Sequence, residues 1–522
     1  MSNSHNLAIL GVASVFLYFS GVVVYRAFFH PLRIYPGPWH AKFCNFAWSY
    51  HWIKGDYHLW TIKIHETYGS VVRTGWDQLS FIEGRALLTS DPFSGTVRNY
   101  TFEERNDSND TDIYGLKAQG GANLPKDLRR RSEEPNGAPS IIVSNDEDHK
   151  RMRRLQAHAF SEKALRAQES VLDGYVNKLI KKLHENVANP ASSIVDMVLW
   201  YNYTTFDILG DLAFGQSFGG LDQGSLHPWI KMIFNTVKAE AFLVAAREFW
   251  KPLDLLIVWL FAPKGLMSVN MEHAMFAYAK SKERLAQGPS DRPDITSYIL
   301  RHNDEKGMTI PEIETNASLL IVAGSETTAT FLSGLTYNLL RNPDILAKLT
   351  NLLRTTFETS DSINVLALGQ LPYLAAILEE GFRTYPPVPI GLVRRTASDG
   401  AMICGRFVPE GVSVTIPQLA AYMSEENFKN PKQFAPERWE KDATLSGPYK
   451  DDDRKVLQPF SFGPRNCIGR NLAIAEMRLI LAKILWNFDL ELMPESRDWD
   501  NQKTYALWEK TPLMVKLTAR TA

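Results

Sequence analysis

The sequence predicts a mainly α-helical protein with small β-sheets, preceded by a single N-terminal transmembrane helix. Apolar residues recur at helical spacing through residues 162–285, 310–342 and 472–485, whereas the strand candidates are short. An uncharged apolar stretch occupies residues 7–25. Together these observations indicate one large helical body behind a membrane anchor.

Size and composition narrow the possible functions. At 522 residues the chain can bury a large core, and its 45% hydrophobic and 22% charged residues are ordinary for a globular protein. The formal net charge of -1 gives no electrostatic reason to expect nucleic acid as a partner. Three cysteines are too few for a disulfide framework, and they fit a reducing compartment.

The apolar stretch at residues 7–25 is long enough to cross a bilayer as a helix. The alternative is a cleaved signal peptide, but the run is long for one and no basic residue precedes it. Arg26, His30 and Arg33 follow the run. The positive-inside rule therefore places a short N-terminus, residues 1–6, in the lumen and the body in the cytosol.

Residues 26–40 are rich in proline, which predicts a stiff, extended hinge before a body over residues 41–522. Residues 95–140 are polar and lack periodicity, so we expect a long loop, a loosely ordered segment or part of a lid. Glycosylation sequons are interpreted as chance matches, since the body is expected in the cytosol. They occur at Asn99, Asn106, Asn109, Asn202 and Asn316.

Strand patterns are short. They occur at residues 70–74, 79–82, 401–403 and 412–416, and a terminal hairpin is predicted from residues 505–508 and 513–517.

The segment 252–263, PLDLLIVWLFAP, is almost wholly apolar but too short to span a membrane. It predicts either a buried helix or a patch that dips into the bilayer beside the anchor.

A cysteine lies in a glycine-rich turn, residues 460–469, that opens a helix; we call this turn the cysteine loop. A helix N-terminus favours a thiolate, and a lone thiolate so placed is a good axial ligand for haem iron. Cys467 is that residue, and Arg465 has the donors to meet a haem propionate. The alternative, a buried structural cysteine, is the interpretation for Cys44 and Cys404.

The helix predicted at 310–342 contains small and hydroxyl-bearing residues in its middle. Ala323 and Gly324 leave room for a flat macrocycle and a small ligand, while threonine hydroxyls can bond back and bend the helix. Glu326 and Thr327 supply an acid and a hydroxyl, as proton delivery would need. Small residues that merely serve packing are the alternative.

Two further pairs have helical spacing. His149 and Arg153 are four residues apart and share one face, while Lys150, Arg151 and Arg154 predict a solvated basic face.

Glu380 and Arg383 are one turn apart and can form an ion pair. An exposed pair of this kind would be worth under about 1 kcal/mol and would indicate no function.

These motifs stand in the order found in one family. The pattern Phe-x-x-Gly-x-Arg-x-Cys-x-Gly resembles the haem-binding loop of the cytochrome P-450 family, and the residues at 323–328 resemble its oxygen-activating helix. His149-x-x-x-Arg153 and Glu380-x-x-Arg383 match two more family motifs, and the hinge resembles that of fungal microsomal members. The resemblance covers the chain after the hinge and implies the cytochrome P-450 fold.

The resemblance implies haem b as the cofactor, with Cys467 as the axial ligand, held between the Thr327 helix and the cysteine loop. Arg394 or Arg395 is expected to reach a propionate, and the choice between them stays open. The other residues expected at the haem are Arg465, His149, Arg153, Phe460, Gly463, Gly469, Ala323 and Gly324. Glu380, Arg383 and Arg438 match a structural network of the family, not catalytic residues.

The reaction implied is insertion of one oxygen atom from O2 into a lipophilic small molecule, with Glu326 and Thr327 delivering protons. Secondary-metabolite intermediates such as terpenoids, polyketides or alkaloids are expected, and Glu326 argues against a sterol 14-demethylase, which usually has His there. The sequence shows no flavin module, so electrons are expected from a separate NADPH-cytochrome P-450 reductase. Its expected docking face comprises Lys150, Arg151, Arg154 and Arg470.

The expected location is the endoplasmic reticulum membrane, with a single span and a cytosolic catalytic domain. Two other functions stay open. One is a haem-thiolate isomerase or dehydratase on the same fold, which needs no reductase, and the other is a non-catalytic haem sensor or membrane scaffold.

Overall fold

The computed structural model describes residues 2–86, 113–114, 123–130, 133–225, 227–249, 253–262, 265–444 and 446–520. Most of the polar segment predicted at 95–140 lies outside the described residues, as do the sequons at Asn99, Asn106 and Asn109. Asn202 and Asn316 are buried within helices, so neither can carry a glycan in this fold.

The described residues are mainly helical with short strands, and this confirms the predicted fold class. The helices are α1 (Ser2–Val24), α2 (Phe46–Lys54), α3 (Tyr57–Tyr68), α4 (Asp146–Gln156), α5 (Glu162–Val187), α6 (Met197–Phe214), α7 (Gly220–Gln223), α8 (Pro228–Ala246), α9 (Leu253–Phe261), α10 (Leu266–Ala286), α11 (Ile295–His302), α12 (Ile310–Arg341), α13 (Pro343–Thr356), α14 (Val365–Gly369), α15 (Pro372–Thr384), α16 (Gln418–Tyr422) and α17 (Arg470–Asn487). The strands are β1 (Val71–Gly75), β2 (Gln78–Phe81), β3 (Ile194–Asp196), β4 (Arg394–Arg395), β5 (Ala401–Ile403), β6 (Arg406–Val408), β7 (Ser413–Thr415), β8 (Phe488–Leu492), β9 (Lys503–Tyr505), β10 (Leu507–Glu509) and β11 (Met514–Ala519).

The N-terminal helix α1 continues as a π-helix over Tyr25–Phe29. Residues 9–29 form a candidate membrane span of 21 residues, none of it buried in the body. Helix α12 is also long and apolar enough to span a membrane, but 67% of its apolar window is buried. Burial makes α12 a core helix, and α1 remains the candidate anchor.

The proline-rich segment after α1 departs from the predicted extended hinge. Leu32 and Tyr35 are buried, and the Tyr35 hydroxyl donates to the carbonyl oxygen of Phe407 at 3.0 Å. The backbone N–H of Arg73 donates to the carbonyl oxygen of Pro36 at 2.7 Å. Because apolar side chains and backbone groups of this segment find partners on the body, it packs there as part of the core.

Helix α12 runs through the core and packs against α6, α10, α15 and α17. It begins with a capping box, in which the Glu312 carboxylate accepts from Thr309 N at 2.8 Å and the Thr309 hydroxyl accepts from Glu312 N at 3.4 Å. Pro311 lies in the first turn, where its missing N–H costs nothing. The capping box and the proline fix the start of α12 at Ile310, which is the predicted residue.

The strands form small sheets at the edge of the helical body. Within the described ranges, β1, β2, β7 and β4 form one sheet in that order, with β7 parallel to β2 and β4 antiparallel to β7. Strands β5 and β6 pair with each other, and β11 lies between β3 and β8.

The predicted terminal hairpin is wrong, because residues 505–508 and 513–517 do not pair with each other. Strand β9 pairs with β10 across Ala506, whose φ of 67° allows the tight turn. Strand β11 pairs with β8 and β3 instead. Both β10 and β11 alternate in burial, and sequence alternation alone does not say which neighbours they choose.

Helix α9 exposes most of its apolar side chains, so it is not a buried helix. Trp259 is 79% exposed, and Leu255, Leu256, Leu260 and Phe261 are exposed as well. The helix packs against α8 along its other side. An exposed apolar face of this kind marks an interaction surface, which fits the second of the two interpretations.

Candidate active site

The cysteine loop is a closed turn directly before α17. The backbone N–H of Cys467 donates to the carbonyl oxygen of Phe460 at 2.8 Å, which joins the two ends of the turn. Gly463 has a φ of 73°, a left-handed conformation that favours glycine, and Ser461 adopts a φ of 60°. The predicted glycine at 463 therefore serves the backbone shape of the loop.

Cys467 combines an exposed surface with a buried environment. Its surface is exposed, yet burial raises the pKa of its thiol, and we infer that this surface borders a space inside the protein, which we call the cleft. The Gly469 N–H, Arg153 and Arg470 oppose the rise in pKa, as expected near a helix N-terminus, but burial outweighs them. Coordination to a metal would overcome this effect, because a coordinating thiol loses its proton.

The middle of α12 also borders internal space. Ala323 is exposed, although Ile321 and Ser325 on either side of it are buried. The Thr327 hydroxyl is partly exposed on the same helix and donates to the Ala323 carbonyl oxygen at 2.6 Å. The predicted back-bonding of this threonine is therefore present.

Gly324 serves helix packing. A Cβ atom at this position would lie 2.5 Å from Leu209 Cδ2 on α6, far closer than van der Waals contact. The glycine lets α6 approach α12, and the room it was expected to leave for a macrocycle is taken by α6.

Glu326 is buried and forms an ion pair with Lys510, a lysine from the segment between β10 and β11. Its carboxylate also accepts from the Thr330 hydroxyl at 3.0 Å. Thr327, by contrast, bonds within its own helix turn. The two residues predicted to deliver protons are thus adjacent in sequence but engage different partners.

Four basic side chains lie beside the cysteine loop; we call His149, Arg153, Arg394 and Arg465 the cationic cluster. Arg153 donates to the backbone oxygen of Asn466 at 2.6 Å, one residue before the cysteine. The charge of Arg465 acts on both His149 and Arg394, which places the three side chains near one another.

Arg465 is held at one end of its guanidinium and unpartnered at the other. Its Nε and Nη2 donate to the Asp146 carboxylate at 3.1 and 2.7 Å, and Nη2 also donates to the Ser144 carbonyl oxygen at 2.9 Å. Its Nη1 is buried and has no partner in the described residues. A buried donor without a partner is costly, so it indicates a ligand with acceptor oxygens.

The structure separates the two arginines that the sequence left open. Arg394 is buried, stacks at 5.3 Å over the Tyr114 ring and interacts with Arg465. Arg395 is the next residue of β4, and its guanidinium lies near Gly411 instead. Successive strand residues point to opposite faces, so Arg394 joins the cluster and Arg395 does not.

The cationic cluster carries more positive than negative charge. Burial and the charges of Arg465 and Arg153 lower the pKa of His149 to about 4, and burial and the charge of Arg465 lower that of Arg394 to about 10. Asp146 is the one carboxylate that pairs with the cluster in the described residues. A dianionic group such as the two propionates of haem fits this surplus, and the Cys467 thiol lies next to the cluster.

The remaining loop residues are close to the cysteine. The Phe460 ring packs edge-on against the Phe382 ring, with 5.1 Å between their centres. The Arg470 guanidinium lies 5.8 Å from the centre of the Phe460 ring. Gly469 caps α17, and a Cβ there would meet Phe160 only at ordinary contact distance. The protein around Gly469 thus leaves space at this position.

The motif residues Glu380, Arg383 and Arg438 form the predicted cluster together with Asp452; we call it the balanced network. Arg383 donates to both oxygens of Glu380 at 2.9 and 2.7 Å, and Arg438 donates to Glu380 at 3.2 Å and also to Asp452. Arg383 further donates to the carbonyl oxygens of Tyr422, Pro431 and Gln433. All four side chains are buried, and within the described chain none of them is hydrogen-bonded to the cysteine loop.

One residue of the expected docking face has other partners. Arg151 forms a bidentate ion pair with Glu312 at 2.6 and 3.0 Å and a second pair with Asp148 at 2.7 Å. Lys150, Arg154 and Arg470 are exposed. Arg151 thus ties α4 to the start of α12 and contributes little to a free basic surface.

Sequence reasoning missed two residues of the site. Asn466, which binds Arg153, lies inside the cysteine loop, so its position next to the cysteine was an available signal. Lys510, the partner of Glu326, carries no motif, and 184 positions separate the two.

Comparisons with known proteins show the family of the chain. The family model described as Cytochrome P450 matches residues 121–517. The chain is 42% identical over 516 residues to the cytochrome P450 monooxygenase astA of Talaromyces wortmannii, with 98% of each protein covered. It is 42% identical over 498 residues to aclL of Aspergillus oryzae, covering 95% of this chain and 94% of that protein. It is 40% identical over 522 residues to averantin hydroxylase of Dothistroma septosporum, covering 98% and 91%.

A helical body with a cysteine loop beside a surplus of buried positive charge fits enzymes that bind haem through a thiolate. The chain belongs to the cytochrome P450 family. It is accordingly a haem monooxygenase of the oxidoreductase class, and the family predicted from the motifs is confirmed.

Proposed function

We propose that this enzyme inserts one oxygen atom from O2 into a lipophilic small molecule of a fungal secondary-metabolite pathway, with electrons from an NADPH-cytochrome P-450 reductase. The observation that carries the proposal is the pairing of an internally exposed Cys467 with the cationic cluster. The name of averantin hydroxylase, a relative at 40% identity, supports hydroxylation as the reaction.

Haem b fits the residues present, and Cys467 would be its axial ligand. Arg153, Arg394, Arg465 and His149 would hold the propionates, because the cluster offers buried donors and unbalanced positive charge. Phe460 and Gly463 would shape the loop beneath the macrocycle, Gly469 would leave space there, and Ala323 would face it from α12.

When bound, thiolate-ligated haem supplies the activation of O2 that lets an unactivated C–H bond be oxidised. The protein has to exclude water and bring protons. Thr327 Oγ1 borders the cleft and can pass a proton onward, provided that it gives up its bond to the Ala323 carbonyl. Glu326 is the acid beside it, and it must leave Lys510 to reach the cleft.

The first test is a carbon monoxide difference spectrum of the reduced protein in membranes. A strongly red-shifted Soret band is expected for the wild-type protein, and Cys467→Ala should abolish it while Cys404→Ala keeps it. A band at the shorter wavelength of imidazole- or thiol-ligated haem in the wild-type protein would contradict Cys467 as a thiolate ligand. Absence of a haem band in folded protein would overturn the function.

The Thr327 hydroxyl has a test of its own. Thr327→Ala should keep haem but release hydrogen peroxide in place of product, while Thr327→Ser, which retains the hydroxyl, should stay closer to the wild-type ratio. Unchanged coupling in Thr327→Ala would remove this residue from proton delivery.

Two membrane contacts are proposed, the α1 anchor and the exposed face of α9, with the body on the cytosolic side of the endoplasmic reticulum. Trp259→Asp should weaken binding of the anchor-deleted protein to lipid vesicles, because it places a charge where an aromatic side chain would enter the bilayer. A matched change on a solvated helix, Lys178→Asp, is the control. Equal vesicle binding by both variants would contradict the role of α9.

The reductase is proposed to dock on Lys150, Arg154 and Arg470, the exposed members of the basic face. Charge reversal at Arg154 should slow reduction of the haem by the reductase at low salt, and added salt should shrink the difference. Reduction rates that are unchanged both in the variant and on addition of salt would contradict this docking face.

A haem-thiolate isomerase or dehydratase on the same fold stays the alternative. Glu326 and Thr327 are both present, which favours oxygen chemistry. Turnover that requires NADPH and the reductase decides for the monooxygenase, and turnover without them decides for the alternative.

A further inference from the structure

Glu326 lies in an ion pair that is almost wholly enclosed. The side chain of Lys510 is 1% exposed and that of Glu326 is 4% exposed. Lys510 Nζ also donates to the Thr330 hydroxyl at 2.7 Å, and that hydroxyl donates to the Glu326 carboxylate. The three groups thus form a closed triangle, in which the acid has two partners that lie away from Thr327.

Lys510 is itself held from a third direction. Its ammonium group lies 5.2 Å from the centre of the Phe234 ring on α8, a cation–π contact. One turn further along α8, Lys238 forms an ion pair with Glu509, the neighbour of Lys510. The position of Lys510 therefore depends on α8 as well as on α12.

We propose that Lys510 is a positioning residue for the proton donor: it holds Glu326 out of the cleft and releases it when α8 or the β10–β11 segment shifts. The inference rests on the proposed function, because Glu326 needs such control only if it delivers protons during turnover. The partner of the acid comes from the segment between β10 and β11, outside the motifs found in the sequence.

The timing of proton delivery decides between two outcomes with the same electron count. In the productive reaction, substrate, O2, two electrons and two protons give hydroxylated product and water. In the unproductive one, O2, two electrons and two protons give hydrogen peroxide, and the substrate is unchanged. Both draw their electrons from NADPH through the reductase, so product formed per NADPH oxidised measures which path is taken.

The experiment compares Lys510→Met with Lys510→Arg in the full-length enzyme, reconstituted with the reductase. Lys510→Met removes the charge and leaves Glu326 unpaired, so product per NADPH should fall by about threefold or more, the lower range of couplings between contacting residues. Hydrogen peroxide should rise in proportion. Lys510→Arg keeps the charge and should retain most of the wild-type ratio.

The decisive control introduces Lys510→Met into a variant that lacks the Glu326 carboxylate. In a Glu326→Gln background, Lys510→Met should change product per NADPH little, because Lys510 acts through Glu326. Equal effects in both backgrounds would overturn the inference. Lys516→Met removes an exposed lysine of β11 that pairs with Glu491 at 3.1 Å, and it should leave the ratio at the wild-type value.

A purely structural role for Lys510 predicts a different result. The amount of haem-thiolate protein would fall while product per NADPH stayed unchanged, and this would overturn the inference. Should Lys510→Met fail to bind haem, Lys510→Gln, which keeps a donor without the charge, is judged by the same ratio. Absence of NADPH-dependent turnover in the wild-type enzyme would overturn the proposed function and this inference together, whereas normal turnover with wild-type coupling in Lys510→Met overturns the inference alone.

Discussion

The balanced network and the cationic cluster are both built on buried arginines, but they differ in how charge is compensated. In the balanced network, Arg383 and Arg438 face Glu380 and Asp452, two positive charges against two negative ones. In the cationic cluster, by contrast, Asp146 is the one carboxylate that pairs with any of its arginines in the described residues.

The difference separates two roles that look alike in sequence. A cluster whose positive and negative charges compensate one another stabilises the fold and has no uncompensated charge to bind a ligand. A cluster with surplus positive charge and an unpartnered donor needs a bound anion, which compensates the charge and accepts a hydrogen bond from the donor. Single substitutions in the two charge sets should therefore have different effects on stability and on haem binding.

Arg383→Met should prevent accumulation of folded protein. It leaves Glu380 buried without its bidentate partner, and breaking a buried pair in this way costs about 3–5 kcal/mol. The free energy of unfolding and the yield of haem-binding protein are the measurements. A variant as stable as the wild-type protein would show that the network is not structural.

Arg394→Met, unlike Arg383→Met, should weaken haem binding and leave the stability of the haem-free protein unchanged. It removes a buried cation without a carboxylate partner in the described chain, so the haem-free protein should lose no stability, while haem should dissociate about tenfold faster or more. Transfer of haem to an acceptor protein measures the rate. Loss of stability in the haem-free protein, with unchanged haem transfer, would place Arg394 in the structural class.

The pH dependence reports on His149. Its pKa of about 4 in the folded protein lies below the usual 6.5, so the unfolded chain takes up a proton first as the pH falls. The free energy of unfolding of the haem-free protein should therefore decrease between about pH 6.5 and pH 4, and His149→Asn should reduce this decrease by about 1 kcal/mol. Unfolding in urea at pH 7 and pH 5 measures it, and an unchanged difference in the variant would contradict the assignment.

Arg395→Met should have the smallest effect. This side chain lies outside the cluster, so haem transfer should match the wild-type rate and stability should change by under about 0.5 kcal/mol. The same haem-transfer assay compares it with Arg394→Met. Equal acceleration by the two variants would mean that the strand face does not select the ligand residue.

Patterns local in sequence predicted well. Helix α12 begins at residue 310 as predicted, and the cysteine loop forms a tight turn before a helix as predicted, because caps and turns depend on a few adjacent residues. The fold class was predictable for a related reason, because the family motifs that imply it are each short and local in sequence.

What the sequence left open or predicted wrongly depends on contacts between distant segments. The choice between Arg394 and Arg395 depends on which face of β4 meets the cysteine loop, and the pairing of β11 depends on β8 and β3. The packing role of Gly324 needs Leu209 on another helix. Spacing along one segment contains none of this information.

The packing of residues 31–38 against the body has a consequence for how the enzyme sits at a membrane. A flexible tether would let the body tumble, whereas a segment with Leu32 and Tyr35 in the core transmits the tilt of α1 to everything behind it. The Arg26 guanidinium lies 4.1 Å from the centre of the Trp76 ring and adds a contact between this junction and the body. With α1 spanning a bilayer as proposed, this packing would fix one orientation of the enzyme on the membrane. A soluble form should be cut before Pro31, because cutting after residue 40 would remove part of the core.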